Sequence, residues 1–295
     1  MVKIKDLFSW EDFAETFPLT ALGARVCYSK KTLDDLLLEP KISSPVERAN
    51  FLAKLANWKH FSVFAHSFTY KRVGKEKALY IGAKYFKTFW REDNPDYIGV
   101  SLRHYLEELT EEERALVFQK LATVENQITP WGFLKSEKTP ARVYLLGGTY
   151  KGYGYFVFYI DGISRVATHQ LVRHTALNFS QRSQRYASER DNYSIIPPSF
   201  GETAIELFRS WDSMANNLYR VLTQELKIPK EDARFILPHG RRTTIVVSAP
   251  TPWLLDFLKK RTEKAAQWEI REVALLMEKL LKPHLKKVEL LKETT

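Results

Sequence analysis

Three polar side chains near the middle of the chain could act together in binding. Gln170, Arg173 and His174 are spaced at i, i+3 and i+4, so a helix would present an amide, a guanidinium and an imidazole on one face. The guanidinium offers a fork for a phosphate, and the amide can serve the carbonyl and amide edges of a planar heterocycle. We expect like-charge repulsion from Arg173 to lower the pKa of His174 and keep it neutral. The segment therefore predicts a binding wall, without a nucleophile–base pair of the Ser–His type.

A second polar group follows directly in the sequence. Gln181, Ser183 and Arg185 alternate, so an extended chain would direct all three side chains to one side. They would then continue the polar wall begun by the helix. Solvated arginines on a surface helix and loop are the alternative interpretation, and this segment alone does not exclude it.

Further basic residues later in the chain favour the binding interpretation. Glu231 and Arg234 are spaced at i, i+3, and Arg261 stands just before residues 265–271 on a predicted long helix. Each arginine taken singly is more typical of a surface. If the helices fold back on the loop, however, Arg185, Arg234 and Arg261 could converge on one dianion.

The overall charge and composition agree with a folded protein that binds a small anion. The 295 residues include 45 Lys and Arg against 35 Asp and Glu, a formal charge of +10, and 44% of residues are hydrophobic. That hydrophobic share can bury a core, which excludes disorder as the default. Acids are interleaved with the bases, as in 259–264, so we expect no nucleic-acid partner. A small phosphorylated ligand needs only a few arginines.

Cysteine usage and apolar runs indicate the compartment. Cys27 is the only cysteine, which excludes an intramolecular disulfide and a zinc site with two or more thiolates, and we predict no metal. Acidic residues precede any apolar stretch of signal-peptide length, and the longest apolar run, 155–160, is far too short to cross a membrane. We therefore expect a cytoplasmic protein without a membrane partner.

Local signals predict many helices and a few strands. Ser44 before Pro45 marks a helix start, and Thr110 with Glu113 makes a capping box. Strands are predicted within 60–70 and as two runs in 142–160, joined by a glycine-rich turn that lacks the ending of a phosphate loop. Predicted helices cover 163–174, 203–226, 230–237 and 252–282. We expect Pro283 to stop the last of these helices. This helix also carries a stripe that we expect to be buried, formed by Trp253, Phe257, Trp268 and Leu275. This order predicts an α+β fold, with helices packed on a modest mixed or antiparallel sheet.

The ordered set of polar residues resembles the flavin-dependent thymidylate synthases. The signature of that family, Arg-His-Arg, seven residues and Ser, corresponds here to Arg173-His174-Thr175, residues 176–182 and Ser183. The resemblance continues through 185–186, 231–238, Arg261 and 266–271, and upstream in 24–28 and 60–69. It implies one domain of residues 1–70 and 153–295, interrupted by an insertion or subdomain at 71–152.

The resemblance also implies an activity, a cofactor and an assembly. A homotetramer would bind FAD between its subunits, and dUMP would gain a methyl group from methylenetetrahydrofolate, with reducing equivalents passed from NADPH through the flavin. No side chain would bond covalently to the pyrimidine. Arg261 and Ser183 would be the catalytic residues. The implied cofactor-binding residues are His60, Ser62, Arg173, His174 and Gln181, and the implied substrate-binding residues are Gln170, Ser183, Arg185, Glu231, Arg234 and Arg261.

Several departures from the family pattern leave two alternatives open. Thr175 stands where the family usually has the third arginine of its signature, and Gln181 stands where it usually has a glutamate. Ala65 replaces another usual glutamate, and Ala265 replaces a common histidine. The flavin side is thus changed more than the nucleotide side. The alternatives are a flavoenzyme of the same fold acting on another pyrimidine nucleotide, and a non-catalytic nucleotide-binding oligomer.

Overall fold

Two antiparallel sheets organise the part of the chain that the computed structural model describes, which is residues 2–293 for the backbone and 2–288 for the side chains. The smaller sheet pairs β1 (Phe68–Arg72) with β2 (Tyr97–Ser101). The larger sheet contains β3 (Gly132–Lys135), β4 (Arg142–Thr149), β5 (Tyr155–Ser164), β6 (Asn178–Gln181) and β7 (Arg242–Pro250). Its order is β3-β4-β5-β7-β6, and every neighbouring pair is antiparallel.

Helices precede, separate and follow these strands. The first seven are α1 (Phe17–Tyr28), α2 (Leu33–Leu37), α3 (Pro40–Ser43), α4 (Pro45–Asn57), α5 (Lys75–Lys84), α6 (Leu102–Glu107) and α7 (Glu111–Leu121). The others are α8 (Arg165–Leu171), α9 (Glu202–Arg220), α10 (Lys230–Ala233), α11 (Thr251–Arg261) and α12 (Trp268–Glu293). A π-helical turn, Val221–Glu225, extends α9. Helices together with antiparallel sheets confirm the predicted α+β class.

The larger sheet separates two hydrophobic cores. Along β5, Tyr155, Val157 and Tyr159 pack into the core formed with the N-terminal helices, whereas Phe156, Phe158 and Ile160 pack into the core formed with α8, α11 and α12. Alternation along a strand explains this division, because successive side chains point to opposite faces. All six residues are 2% exposed or less, so both faces of β5 are covered. The sheet therefore holds the ends of α8 and α11 on one of its faces.

Short-range sequence signals predicted several elements correctly. The Ser44 hydroxyl accepts a hydrogen bond from Glu47 N at the start of α4, and Pro45 is its first residue. Thr110 and Glu113 form the predicted capping box of α7. The glycine-rich segment between β4 and β5 is a connection between antiparallel strands, as predicted.

Other predicted elements were wrong in extent. The segment 60–70 begins with a 3-10 helix, Phe61–His66, and only Phe68–Arg72 is a strand. The predicted helix 252–282 is two helices, α11 and α12, and α12 continues through Pro283. Leu275, predicted to be buried, is 37% exposed. The helix predicted from residue 163 starts at Arg165, because Ile163 and Ser164 still belong to β5.

The segment 71–152 contributes to both sheets. It contains the last two residues of β1, all of β2 and the two strands β3 and β4 at one side of the larger sheet. Val143 and Leu145 of β4 are buried in the same core as α12. The division into residues 1–70 with 153–295 and an insertion at 71–152 stays a prediction. Among the described residues, no helix has both the length and the apolar character needed to cross a membrane.

Candidate functional site

Three of the predicted site residues meet where α8 and α11 end. Arg261, the last residue of α11, donates from Nε to His174 Nε2 at 2.8 Å and from Nη1 to Gln170 Oε1 at 3.4 Å. Gln170 lies in α8, and His174 follows the helix by three residues. The predicted helix through His174 was therefore wrong in extent, and Arg173 and His174 do not share a helical face with Gln170; His174 instead reaches Arg261 from the turn after α8. We call Gln170, His174 and Arg261 the Arg261 cluster.

His174 is suited to accept the hydrogen bond from Arg261. Its pKa is lowered from the ordinary value by burial and by the nearby cations Arg261 and Lys260. A neutral imidazole can accept at Nε2 while carrying its proton at Nδ1, which the bond from the arginine requires. The ring also packs edge-on against Phe257, with 5.0 Å between centroids. Packing and protonation state therefore fix the direction of the Arg261 side chain. The repulsion predicted from Arg173 is not the main cause of the pKa change.

A second group of predicted residues surrounds Glu231 on α10. Arg185 donates from Nε to Glu231 Oε2 at 2.6 Å, and both side chains are about half exposed. Arg234 donates from Nε to the backbone oxygen of Glu231 at 3.0 Å. These three residues form the Glu231 cluster. An exposed ion pair of this kind contributes little to stability, so its guanidiniums can be redirected to a ligand at small cost.

Ser183 and Gln181 are held by different parts of the fold. Ser183 N donates to Cys27 O at the end of α1, and its hydroxyl accepts from Arg185 N at 3.1 Å. Gln181 donates from Nε2 to the hydroxyls of Thr168 and Thr243. The chain turns after Ser183, so the extended alternation predicted to reach Arg185 ends two residues early. Hydrogen bonds thus link the predicted nucleotide residues into two clusters, with Ser183 attached to the Glu231 cluster.

Three of the five residues predicted for the flavin side have polar groups that the fold leaves available. His60, Ser62 and Arg173 are exposed, and among the described residues none of their side chains makes a hydrogen bond or an ion pair. Free N–H and O–H donors of this kind fit the phosphates and the polar ring edges of FAD.

A lysine that the sequence argument missed lies near Thr175. Lys87 donates from Nζ to Leu177 O at 2.7 Å and to Asn178 Oδ1 at 3.4 Å. Together with Thr175 and Trp253 it lines a cavity of about 510 Å³. Thr175 stands where the family signature has an arginine. Lys87, from the segment 71–152, therefore places a positive charge near the position of that missing arginine. Nothing in the sequence around Lys87 indicates this contact, because the two segments are about 90 residues apart.

Arg165, at the start of α8, is a second residue to which the sequence argument gave no definite place. It donates from Nη2 to Arg182 O at 2.8 Å, beside the strand that carries Gln181. Burial lowers its pKa, and the positive charges of Arg182 and Arg234 act in the same direction. Arg165 therefore adds a partly buried cation between β6 and the Glu231 cluster.

Comparison with known proteins shows what the segment that carries both clusters is similar to. Residues 153–285 match the family model Thy1, described as thymidylate synthase complementing protein. A flavin-dependent thymidylate synthase of Sulfurisphaera tokodaii is 40% identical over 133 residues, which are 44% of this chain and 51% of that protein. One of Geobacter sulfurreducens is 41% identical over 131 residues, which are 43% of this chain and 56% of that protein.

Residues 153–285 are thus similar in sequence to the flavin-dependent thymidylate synthases, the family that the signature around Arg173 and Ser183 resembles. The chain spans about half the length of the curated relatives it matches. The crystal structure of Helicobacter pylori thymidylate synthase X with FAD and dUMP aligns with 46% of this chain and 71% of its own, at 24% identity and a TM-score of 0.35.

Proposed function

We propose that the protein is a flavin-dependent thymidylate synthase that converts dUMP to dTMP. The methylene group of methylenetetrahydrofolate becomes the new methyl group, and NADPH supplies the reducing equivalents through FAD. The observation that carries the proposal is the Arg261 cluster, in which the family signature around His174 and the distant Arg261 meet at hydrogen-bond distance. A cytoplasmic location belongs to the same proposal.

The two clusters divide the recognition of dUMP between them. Arg185 and Arg234 of the Glu231 cluster bind the phosphate, since guanidinium forks match phosphate oxygens. Gln170 and Ser183 offer an amide and a hydroxyl to the sugar and base. Arg261, fixed by His174 and Gln170, presents its remaining Nη protons to the pyrimidine and polarises the ring. These side chains position and polarise the substrate, and none of them becomes a covalent nucleophile.

The exposed side chains of His60, Ser62 and Arg173, together with His174 and Gln181, would hold FAD. When bound, FAD supplies the hydride that the reaction requires. His174 would also have a second task, because its neutral ring accepts a hydrogen bond from Arg261 and keeps that guanidinium oriented. Gln181 carries no charge, and its amide is already bonded to Thr168 and Thr243. We therefore expect Gln181 to shape the FAD site and to add little to the affinity for FAD.

The absorbance spectrum of the purified protein tests this proposal. We expect a yellow protein, or one that becomes yellow with added FAD, and a shift of the flavin band when dUMP is added. A spectrum without flavin after incubation with FAD would contradict the proposal. It would leave the non-catalytic nucleotide-binding oligomer, for which dUMP but not FAD should raise the melting temperature.

A flavoenzyme acting on another pyrimidine nucleotide is the second candidate. The uncharged Gln181 and the threonine at position 175 favour it, because they change the groups expected beside the base and the flavin. This candidate predicts a flavin band that shifts more strongly with another pyrimidine nucleotide than with dUMP. Methyl transfer to dUMP at an ordinary rate would exclude it.

Replacement of Arg234 by alanine should weaken dUMP binding. The loss of a charged hydrogen bond to the phosphate predicts about 1.5–3 kcal/mol, roughly a 10- to 150-fold higher Kd. Isothermal titration of dUMP into wild type and Arg234→Ala measures the change. Lys230→Ala is the matched control, since it removes an exposed cation of α10 whose one hydrogen bond among the described residues goes to Tyr186 O. An unchanged Kd for Arg234→Ala would show that Arg234 does not bind the nucleotide.

The proposed function includes a homotetramer, and α9 offers a surface for assembly. Leu207, Trp211, Met214 and Leu218 are 69%, 46%, 61% and 47% exposed. Their spacing of four, three and four residues is that of a coiled-coil seam, so they form one apolar stripe along the helix. A contiguous apolar stripe of this kind is typical of a surface that is covered in the assembled protein.

A charge in the α9 stripe should disrupt the assembly. Trp211→Glu would bury a carboxylate in an apolar contact, which strongly disfavours association. Light scattering after size exclusion should give a smaller species than wild type, while Ser213→Glu on the exposed polar side of α9 should assemble normally. The same mass for Trp211→Glu and wild type would exclude the stripe as a subunit contact.

A further inference from the structure

A second basic site lies apart from the proposed nucleotide site. A cavity of about 350 Å³ beside β5 and β7 is lined by six cationic side chains, Lys30, Lys31, Arg142, Arg182, Arg190 and Arg242. Asp161 and Asp191 are the two carboxylates in its lining. We call it the basic cavity. Its volume lies within the range of small-molecule sites.

The basic cavity is on the other side of the sheet from Gln181. Gln181 bonds to Thr168 and Thr243, whereas the next residues, Arg182 and Thr244, line the cavity. Consecutive side chains along extended strands point to opposite faces, which separates the two sites. No residue of the Arg261 cluster or the Glu231 cluster lines the cavity. A ligand there would therefore bind independently of the proposed nucleotide.

Half of the cationic groups in the cavity have no carboxylate partner. Arg242 pairs with Asp161 at 2.6 Å, and Lys31 pairs with Glu39 at 2.9 Å. For Lys30, Arg142 and Arg190, no carboxylate of the described residues lies within ion-pair distance. The cavity thus concentrates positive charge that the fold itself does not neutralise.

The buried wall of the cavity is also incompletely satisfied. Arg182 is 9% exposed, and its Nη2 donates to Arg242 O at 2.7 Å, but its buried Nε has no hydrogen-bond partner. The nearest carboxylate oxygen, from Glu189, is 3.9 Å away. Lys30 donates to the backbone of Arg190, and burial lowers its pKa, with repulsion from Arg182 and Arg190 adding to the effect. An anion in the cavity would relieve this repulsion.

We propose that the basic cavity binds a phosphate-bearing small molecule. Its cations come from four parts of the fold: the segment after α1, the start of β4, the loop after β6 and the start of β7. Donors that converge from several directions suit a tetrahedral phosphate, which offers acceptor oxygens on all sides, better than a planar carboxylate. Arginine forks bind two phosphate oxygens each, and lysine adds a point charge. The cavity can hold a pyrophosphate or a phosphate ester of similar size.

Titration calorimetry at constant ionic strength tests the proposal with pyrophosphate, ADP, ribose 5-phosphate and citrate. We expect wild type to bind at least one phosphate compound, and the double variant Arg142→Ala/Arg190→Ala to bind it at least tenfold more weakly. Both arginines are exposed, so the double variant should fold. If the circular dichroism of the double variant differs from that of wild type, the single variant Arg190→Gln is used in its place. Tighter binding of ADP than of pyrophosphate would show that the basic cavity recognises a nucleotide. Equal binding of the two would show that it recognises the phosphate groups alone. Both results support the proposal.

Two comparisons separate this site from the proposed active site. Arg142→Ala/Arg190→Ala should keep the dUMP affinity of wild type, whereas Arg234→Ala should lose dUMP affinity and keep that for pyrophosphate. The control variant Arg72→Ala/Arg209→Ala removes two exposed guanidiniums outside both sites. It should leave the affinities for dUMP and for pyrophosphate unchanged. Equal pyrophosphate affinity in wild type and Arg142→Ala/Arg190→Ala would overturn the proposal, as would citrate binding as tightly as the phosphates.

Discussion

Replacement of Arg261 by alanine should reduce kcat for dTMP formation by about 10²–10³-fold, the usual loss when an oriented donor to developing charge is removed. The fold orients the Arg261 side chain through hydrogen bonds to His174 and Gln170. Because Arg185 and Arg234 would still bind the phosphate, the Kd for dUMP should change much less than kcat. Steady-state rates and dUMP titration of the same preparation measure the two effects.

The neighbouring Lys260 provides the matched control for Arg261. Lys260 pairs with Asp256 at 2.8 Å on the exposed side of α11, so Lys260→Ala removes one positive charge near His174 but none of the hydrogen bonds of the Arg261 cluster. Its kcat should stay within a factor of two of wild type, as is usual for an exposed pair. Arg261→Lys keeps the charge but not the fork, and we expect it to recover only part of the rate. Wild-type kcat in Arg261→Ala would remove Arg261 from the reaction.

The second large effect concerns stability in acid and originates at His66. This residue is fully buried, and its two ring nitrogens lie 2.7 Å from Ser248 Oγ and 2.9 Å from Ser180 Oγ. Burial, helped by the charge of Lys87, lowers its pKa to about 3. In the unfolded chain a histidine takes up a proton near pH 6.5. The imidazole is therefore neutral in the folded protein over a range in which the unfolded chain is protonated.

The sign of the effect follows from proton binding. Above pH 6.5 neither state carries the proton, and stability is at its full value. Between pH 6.5 and about 3 only the unfolded chain binds it, so the free energy of unfolding falls by about 1.4 kcal/mol per pH unit, roughly 3 kcal/mol by pH 4. The lowered pKa values of His104 and His174 act in the same direction. Urea denaturation at several pH values between 4.5 and 7.5 measures the slope.

A substitution isolates the share of His66. His66→Gln keeps one donor and one acceptor for the two serines but cannot be protonated, so the slope should decrease by about one proton. His284→Gln is the control, since that half-buried ring is bonded to Tyr150 and should account for a smaller part. If His66→Gln and wild type lose stability equally toward low pH, the buried imidazole does not cause the acid sensitivity.

The elements that the sequence predicted well depend on local contacts. Ser44 caps α4, and Thr110 caps α7, through bonds to residues three positions away, so a short segment contains the whole signal. The two runs that form β4 and β5 were recognisable because the apolar residues and the glycine-rich turn between them also lie in one short segment. The family signature around Arg173 and Ser183 likewise lies in one short stretch.

The wrong predictions concern elements whose limits are set by distant contacts or by unusual caps. The break after Arg261 falls among residues that favour helix, and it is fixed by the Gln267 side chain, which accepts from Glu269 N and Ile270 N, and by Arg271 bonding to Thr262 O. This break ends α11 at Arg261, which frees the side chain to reach His174. In 60–70, the bond from Tyr155 to Ala65 O and the buried ring of His66 accompany a 3-10 turn where propensity favours a strand.

Candidate-site residues outside the signature were the least predictable. Lys87 reaches Leu177 and Asn178 from a segment without family resemblance, and Arg165 lies outside the residues that the sequence singled out. Spacing along a sequence cannot reveal such neighbours, because the fold brings them together. The ordered motifs named Arg261, Gln170 and His174 as site residues, but not their contact with one another. The convergence of Arg261 with Arg185 and Arg234 on one dianion stays a prediction.

The most direct test of the central claim is product analysis with labelled folate. Purified protein is incubated with FAD, NADPH, dUMP and methylenetetrahydrofolate carrying a ¹³C-labelled methylene group, and the nucleotides are analysed by mass spectrometry. We predict dTMP with one labelled methyl carbon, formed only when FAD is present. Protein that binds both FAD and dUMP yet yields no labelled dTMP would contradict the claim.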